Sequence, residues 1–454
     1  MKIFKSFLIT LLLITTILAN EQYIIGYYPY YRTGTYPPSQ IPLDKITHII
    51  HSFVWPNATG EIITPNNFFE VTPTLVSYAH DNGAKVILSI GGGGNSEYFD
   101  EALADTTSRK NFISNLVDIC IEYEYDGIDI DWEQPQSIQD KKNLNSFVIE
   151  MEAEFEEWLI EPHISIAVPA SDWRGKYYDA STLKNYINWF GVMTYDFYGS
   201  WSSKSGFNSS LFKDPSDPQY LSVDSSIREY WHGTKNIPYN KLVSGIPFYG
   251  YKFNGASGPY KSFTSATSMT YSEIATSTGY NNFWNAGAKV PWLENGSSFI
   301  SFDDTLSVKH KCQYAKDKNL AGVMIWELSQ SYFSIDDQPL LETVINEMTT
   351  NTKINIANNH IIPEKFQLHQ NYPNPFNPST TINFDLPQNA MVNLTIYDIK
   401  GNLVKTLVNE QLTTGFHTYS WQPENISTGV YFYKIEAVNE NYQQVQIQKC
   451  LFIK

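Results

Sequence analysis

The stretch DGIDIDWE, residues 126–133, sets acids at every second position, Asp129, Asp131 and Glu133, with Ile128, Ile130 and Trp132 between them. In a β-strand, residues i, i+2 and i+4 share a face. The spacing therefore predicts three carboxylates on one side of a strand and apolar side chains on the other. Like charges this close oppose each other's ionisation, so a folded chain keeps such a column only where it has a use. A solvated strand edge would not back the acids with Ile, Ile and Trp. A calcium loop stays as an alternative, although such loops place glycine and polar residues between the ligands and these spacers are apolar. The spacing favours catalysis. Crowding in a low-dielectric interior raises the pKa of at least one acid, and a carboxyl still protonated near neutral pH is what a leaving oxygen needs.

Around this strand the chain repeats one pattern. Apolar, β-branched runs occur at 23–28, 48–53, 85–90, 127–131, 163–168, 189–195, 241–247 and 322–326. Between them lie segments with apolar spacings of three and four, such as 107–125 and 141–160. Strands alternating with helices predict a parallel (β/α)8 TIM barrel, in which catalytic groups sit at the C-terminal ends of the strands. Residues 250–305, rich in Gly, Ser, Thr and Tyr, are too long for a simple crossover and are expected to form a small α+β insertion before strand eight. The catalytic domain is placed at 21–346. A polar stretch without helical period follows at 347–364 and reads as a linker. From 365 to 454, short alternating runs separated by turn residues predict a β-sandwich.

The first 20 residues, with Lys2 and Lys5 before a short apolar run and small residues near Ala19, read as a secretory signal peptide. The mature protein is expected to be exported, with no membrane span. Formal charge is −16; losing Lys2 and Lys5 with the leader, which carries no acid, takes it to −18. Such acidity disfavours nucleic acid and anionic membranes as partners. The three cysteines are too few and scattered for a disulfide framework or a zinc site. No cofactor or metal is expected. Aromatic residues make up 15% of the chain, and many fall beside turn-like polar stretches, as in sites that stack sugar rings.

DGIDIDWE matches the DGxDxDxE motif of the family 18 glycoside hydrolases, the chitinase family, at every specified position. ILSIGGGG (87–94) resembles the family's SxGG segment after strand three. MTYDFYGSW (193–201), KLVSGIPFYG (241–250) and GVMIWELSQ (322–330) are similar to its sixth, seventh and eighth strand segments. The resemblance covers most of residues 23–330. It implies a substrate-assisted mechanism, for which this family is a named exception to the two-carboxylate scheme. On that pattern Glu133 protonates the glycosidic oxygen, Asp131 holds the substrate's acetamido N–H, and Asp129 shares a proton with Asp131. Ser89 and Tyr27 match the positions supporting the inner pair. Tyr195 would donate to the acetamido oxygen, with Met193 and Asp196 shaping the same pocket. Trp326 would floor the distorted sugar and Trp201 would wall the leaving-group side. Phe53, Gly91, Gly92, Trp132 and Tyr249 complete the expected binding set. One departure stands out: the family segment usually continues Tyr-Gly-Arg, and here Tyr249-Gly250 is followed by Tyr251.

In the tail, QNYPNPFNPSTTI (370–382), IYDIKGNLVKTL (397–407), GVYFYKIEA (429–437) and the terminal KCLFIK resemble the sorting domain of type IX secretion cargo. This implies a secretion-machinery partner and an extracellular or cell-surface location. The function implied is a secreted chitinase acting on chitin or N-acetylglucosamine oligosaccharides, a substrate favoured by the insertion seen in chitinases with deep clefts. An endo-β-N-acetylglucosaminidase acting on glycoprotein glycans or bacterial wall would keep the same residues. A chitin-binding lectin is disfavoured by the presence of Glu133.

Overall fold

Eight parallel strands, each rich in β-branched and apolar residues, close into a barrel. They are β1 (Tyr23–Pro29), β2 (His48–Pro56), β3 (Lys85–Gly91), β4 (Gly127–Asp131), β5 (His163–Pro169), β6 (Trp189–Met193), β7 (Leu242–Pro247) and β8 (Gly322–Trp326). Each pairs with its sequence neighbour, and β8 pairs with β1 to close the ring. The computed structural model describes residues 22–133, 135–157, 163–349, 365–371, 374–423, 426–439 and 442–453. The expected signal peptide lies outside the described residues, as does most of the expected linker.

Period-two alternation sorts the strand residues into two layers. Ile49, Leu88, Ile128, Ile130 and Trp132 point outward and pack with Leu116, Phe147 and Val323 under the helices. Ile25, Tyr27, Ile50, Ile87, Val243 and Met324 fill the barrel interior. The helices have the expected amphipathic spacing. Thr106–Tyr123 buries Phe112, Ile113, Leu116 and Val117, and its Asp105 N-cap accepts from the Thr107 and Ser108 amides.

The insertion is a five-stranded antiparallel sheet. Its spatial order is 265–270, 249–254, 298–301, 290–294, 281–285, with a short helix, Tyr271–Ala275, opened by a Thr270–Glu273 capping box. The barrel unit ends in the helix Pro339–Thr349, so the helical backbone runs three residues past the boundary expected at 346. Apolar residues every three or four positions (Leu340, Leu341, Val344, Ile345, Met348) carry the helix through the polar residues at its end.

The C-terminal unit is separate. It has one antiparallel sheet of three strands and one of four around a shared core that includes Phe384, Val392, Leu394, Trp421, Tyr433 and Ile435. This agrees with the expected β-rich tail. Alternate residues of Gly429–Asn439 are buried, as the pattern predicted. Among the described residues no helix is long and apolar enough to cross a membrane.

Candidate active site

Strand register puts Ser89 of β3, Asp129 of β4 and Ser165 of β5 side by side. All three point into the barrel, and Asp129 accepts three hydrogen bonds there. Two go to Oδ2, from Ser89 Oγ and Tyr27 Oη, both at 2.8 Å, and one to Oδ1, from Ser165 Oγ at 2.6 Å. Burial pushes the Asp129 carboxyl above its ordinary range, and the three donors pull it back.

One pleat up, Asp131 has no such help. It is buried, and among the described residues its Oδ1 has no hydrogen-bond partner. Burial first, then the charges of Glu133 and Asp129 on either side, hold its pKa well above the usual carboxylate range. Glu133 lies just past the strand end and is also raised, by burial and then by the charge of Asp196. The column is therefore graded. Asp129, with three donors, is best suited to carry charge, and Asp131 and Glu133 are best suited to carry protons.

The loop after β3 makes room for the column. Gly91 and Gly92 have φ of 109° and 83°, in the region that favours glycine. A Cβ on Gly91 would fall 2.4 Å from the Asp131 carbonyl oxygen, and one on Gly92 would fall 2.6 Å from the Phe53 ring. The Gly92 amide donates to that same Asp131 carbonyl at 2.9 Å. These two residues shape the backbone beside the acids.

Tyr195 follows the end of β6. Its ring lies over Gly245, where a Cβ would come within 2.7 Å. Burial first, then the charges of Asp131, Asp196, Glu133 and Asp129, push its hydroxyl well above the ordinary tyrosine range. Asp196 has a left-handed backbone, φ 58°, with its amide donating to Asn208 Oδ1 at 3.0 Å. Its Oδ1 accepts from Tyr249 Oη at 2.5 Å and Tyr251 Oη at 3.2 Å. Met193 is partly buried against the barrel's inner cluster. Trp326, at the end of β8, stacks on Phe53 with centroids 5.9 Å apart and also contacts Tyr27. Trp201 is 61% exposed and meets the Tyr251 ring edge-on at 5.7 Å.

Trp132, expected in the binding set, points away from the acids. It is 1% exposed, stacks on Phe99 at 5.5 Å and belongs to the layer beneath the helices. Its position follows from the alternation that points Asp131 and Asp129 inward. What it offers the site is backbone: its carbonyl accepts from Tyr178 Oη at 2.8 Å, one residue before Glu133. Ser165 was missing from the expected set, although its place between Ile164 and Ile166 of an apolar strand was a signal. A groove of about 570 Å³ on the insertion, lined by Tyr271, Tyr280 and Trp284 among others, contains none of these acids. Among the described residues no cluster of three or more His, Cys, Asp or Glu is placed to hold a metal ion.

Residues 23–331 match the model of the glycosyl hydrolases family 18, and residues 370–449 match the secretion system C-terminal sorting domain. The chain is 31% identical over 310 residues to chitinase A1 of Niallia circulans, covering 60% of this chain and 42% of that protein's length. It is 26% identical over 357 residues to chitinase 1 of Aphanocladium album, covering 69% of this chain and 82% of that one. Among solved structures, a family 18 N-acetylglucosaminidase from Paenibacillus barengoltzii superimposes with a TM-score of 0.66 at 26% identity, covering 72% of this chain and 99% of that one. An Ostrinia furnacalis Group IV chitinase in complex with allosamidin has the same fold, with a TM-score of 0.67 at 24% identity, covering 72% and 98%. With a family match that spans the closed barrel and every acid in its column, the chain belongs to the family 18 glycosyl hydrolases.

Proposed function

We propose that this protein is a secreted chitinase that cleaves β-1,4 bonds between N-acetylglucosamine units with retention of configuration. The observation that carries the reading is Asp131, a buried carboxylate with an unpaired oxygen between donor-rich Asp129 and Glu133. Leaving a buried acceptor unpaired costs about 1–3 kcal/mol. The acetamido N–H of a bound sugar would satisfy it.

Glu133 gives its proton to the glycosidic oxygen as the bond to C1 breaks. The acetamido carbonyl oxygen of the same sugar closes on C1. Asp131 passes its proton to Asp129, accepts the acetamido N–H and offsets the positive charge of the resulting oxazolinium-type ion, while Tyr195 donates to the acetamido oxygen and aligns it. Glu133, now a carboxylate, takes a proton from the water that attacks C1, and this second inversion restores the original configuration. Trp326 and Phe53 lie beneath the reacting sugar, and Trp201 stands on the leaving side.

Proton NMR of a chitin-oligomer digest tests the reading. The first product should be the β-anomer; an initial α-anomer, or no cleavage, would overturn it. Similarity to the P. barengoltzii N-acetylglucosaminidase keeps a second reading open, in which the same column serves N-acetylglucosamine linkages outside chitin; glycoprotein glycans and bacterial wall are the substrates to compare. Parallel digests of chitin, N-glycans and wall fragments, compared by mass spectrometry, separate the two. Export through type IX secretion machinery is proposed from the sorting-domain match, with residues 1–20 as the leader.

A further inference from the structure

Tyr251 contacts two parts of the site, Asp196 and Trp201. It sits in the strand Tyr249–Asn254, which is paired on both sides, with 265–270 and with 298–301, and is therefore rigidly placed. Tyr249 and Tyr251 are two residues apart and share a face. Both hydroxyls donate to the same oxygen of Asp196. The Tyr251 ring also stands at 86° to the exposed Trp201 indole, an edge-to-face contact at 5.7 Å. One side chain thus touches both the carboxylate whose charge acts on Glu133 and the aromatic wall of the cleft.

We infer that Tyr251 is a positioning and specificity residue for the reaction: it holds Trp201 and Asp196 as one unit and so supports a sugar on the leaving side. The inference rests on the glycosidase reading above. Around Asp196 and Glu133 the titratable groups among the described residues include Asp131 and Asp129 from β4, Tyr195 after β6, Tyr178 after β5 with the Arg174 charge acting on it, Tyr27 from β1, and Tyr249 and Tyr251 from the insertion strand. The ion pairs among the described residues include none of the four acids. A neutral phenol at 251 leaves the Asp196 charge in place, and that charge favours the protonated form of Glu133. A guanidinium there would cancel it.

The test uses the full chain and three variants, Tyr251→Phe, Tyr251→Arg and Tyr251→Ala. Each is assayed from pH 4 to 9 on N-acetylglucosamine hexamer and on an aryl chitobioside, which places no sugar on the leaving side. Tyr251→Arg should move the alkaline limb of kcat/KM to lower pH by about half a unit or more, because an added cation favours the Glu133 carboxylate. Tyr251→Phe loses the bond to Asp196 but keeps the ring beside Trp201, so it should raise KM for hexamer less than Tyr251→Ala does. Tyr251→Ala should raise KM for hexamer by about two- to tenfold, with a much smaller change on the aryl substrate. If the wild type cleaves hexamer but the limb stays in place for Tyr251→Arg and both substrates respond alike to Tyr251→Ala, the inference is overturned. If the wild type cleaves neither substrate, the glycosidase reading itself fails. Should the alanine variant not fold, the arginine and phenylalanine variants still decide.

Discussion

Replacing Glu133 with glutamine should damage catalysis and stabilise the fold, and the two effects have one origin. Glutamine keeps the shape and hydrogen-bonding reach of the side chain but cannot protonate a leaving oxygen. General acid catalysis is worth about 10²–10⁴-fold, so turnover of N-acetylglucosamine oligomers should fall at least that far, while oligomer binding survives. On a substrate whose leaving group needs no proton, the loss should be much smaller. Stability should move the other way. Burial and the Asp196 charge raise the folded-state pKa of Glu133. Below the unfolded pKa, about 4.3, the group is protonated in both states and nothing is lost. As pH rises through the folded pKa, the wild type must either hold a proton or ionise in a crowded site, and stability falls. Glutamine has no such term. Each pH unit of elevation is worth about 1.4 kcal/mol, and for domains approaching this size 1 kcal/mol moves Tm by about 2 °C. Scanning calorimetry of both proteins at several pH values should show matched Tm values near pH 4 and a variant advantage that grows toward neutrality. A variant less stable than wild type at pH 7, or one with near-normal turnover on a poor leaving group, would refute the reasoning.

Within the same column, Asp131→Asn should slow turnover more than Asp129→Asn, because Asp131 meets the acetamido group and Asp129 acts through it; single-turnover rates on chitin tetramer would show an inverted order if this were wrong. His51 is buried against Phe68 and Tyr125, and burial lowers its pKa to about 3. Its unfolded form gains a proton below about 6.5, so its contribution to stability is lost as pH falls through that range, the opposite of the Glu133 term. Urea unfolding between pH 6.5 and 4 should therefore have a shallower pH slope in His51→Phe than in wild type, and equal slopes would count against it. A chain truncated after Thr349 should keep full activity on soluble oligomers yet fail to be exported by a host with type IX machinery. Prolonged chelation should leave the rate unchanged; loss restored by calcium would revive a metal role for the acids.

Much of this architecture was legible because strands have a period of two. The spacing of DGIDIDWE fixed which side chains face inward before any neighbour was known, and the eight apolar runs named every barrel strand to within a few residues. The same period placed Trp132 among the helices, which a motif read as a string of contacts obscures. Ser165 was harder to find. Its partnership with Asp129 depends on the register between β4 and β5, which pairing in three dimensions sets and local sequence does not. Tyr251 was visible as a departure from a familiar segment. Its bond to Asp196, however, crosses from an inserted sheet to the loop after β6, and no local spacing encodes that. The domain boundary placed at 346 falls inside the last barrel helix, whose polar tail masks an apolar stripe that continues to Met348.

Because the barrel is closed, β4 is hydrogen-bonded to a neighbour on each side and presents no free edge. Its amides should exchange with deuterium only when the whole unit opens, so the acids ride on some of the slowest-breathing backbone in the molecule. Any rearrangement of Asp131 during turnover then has to be a rotation about its own side-chain bonds.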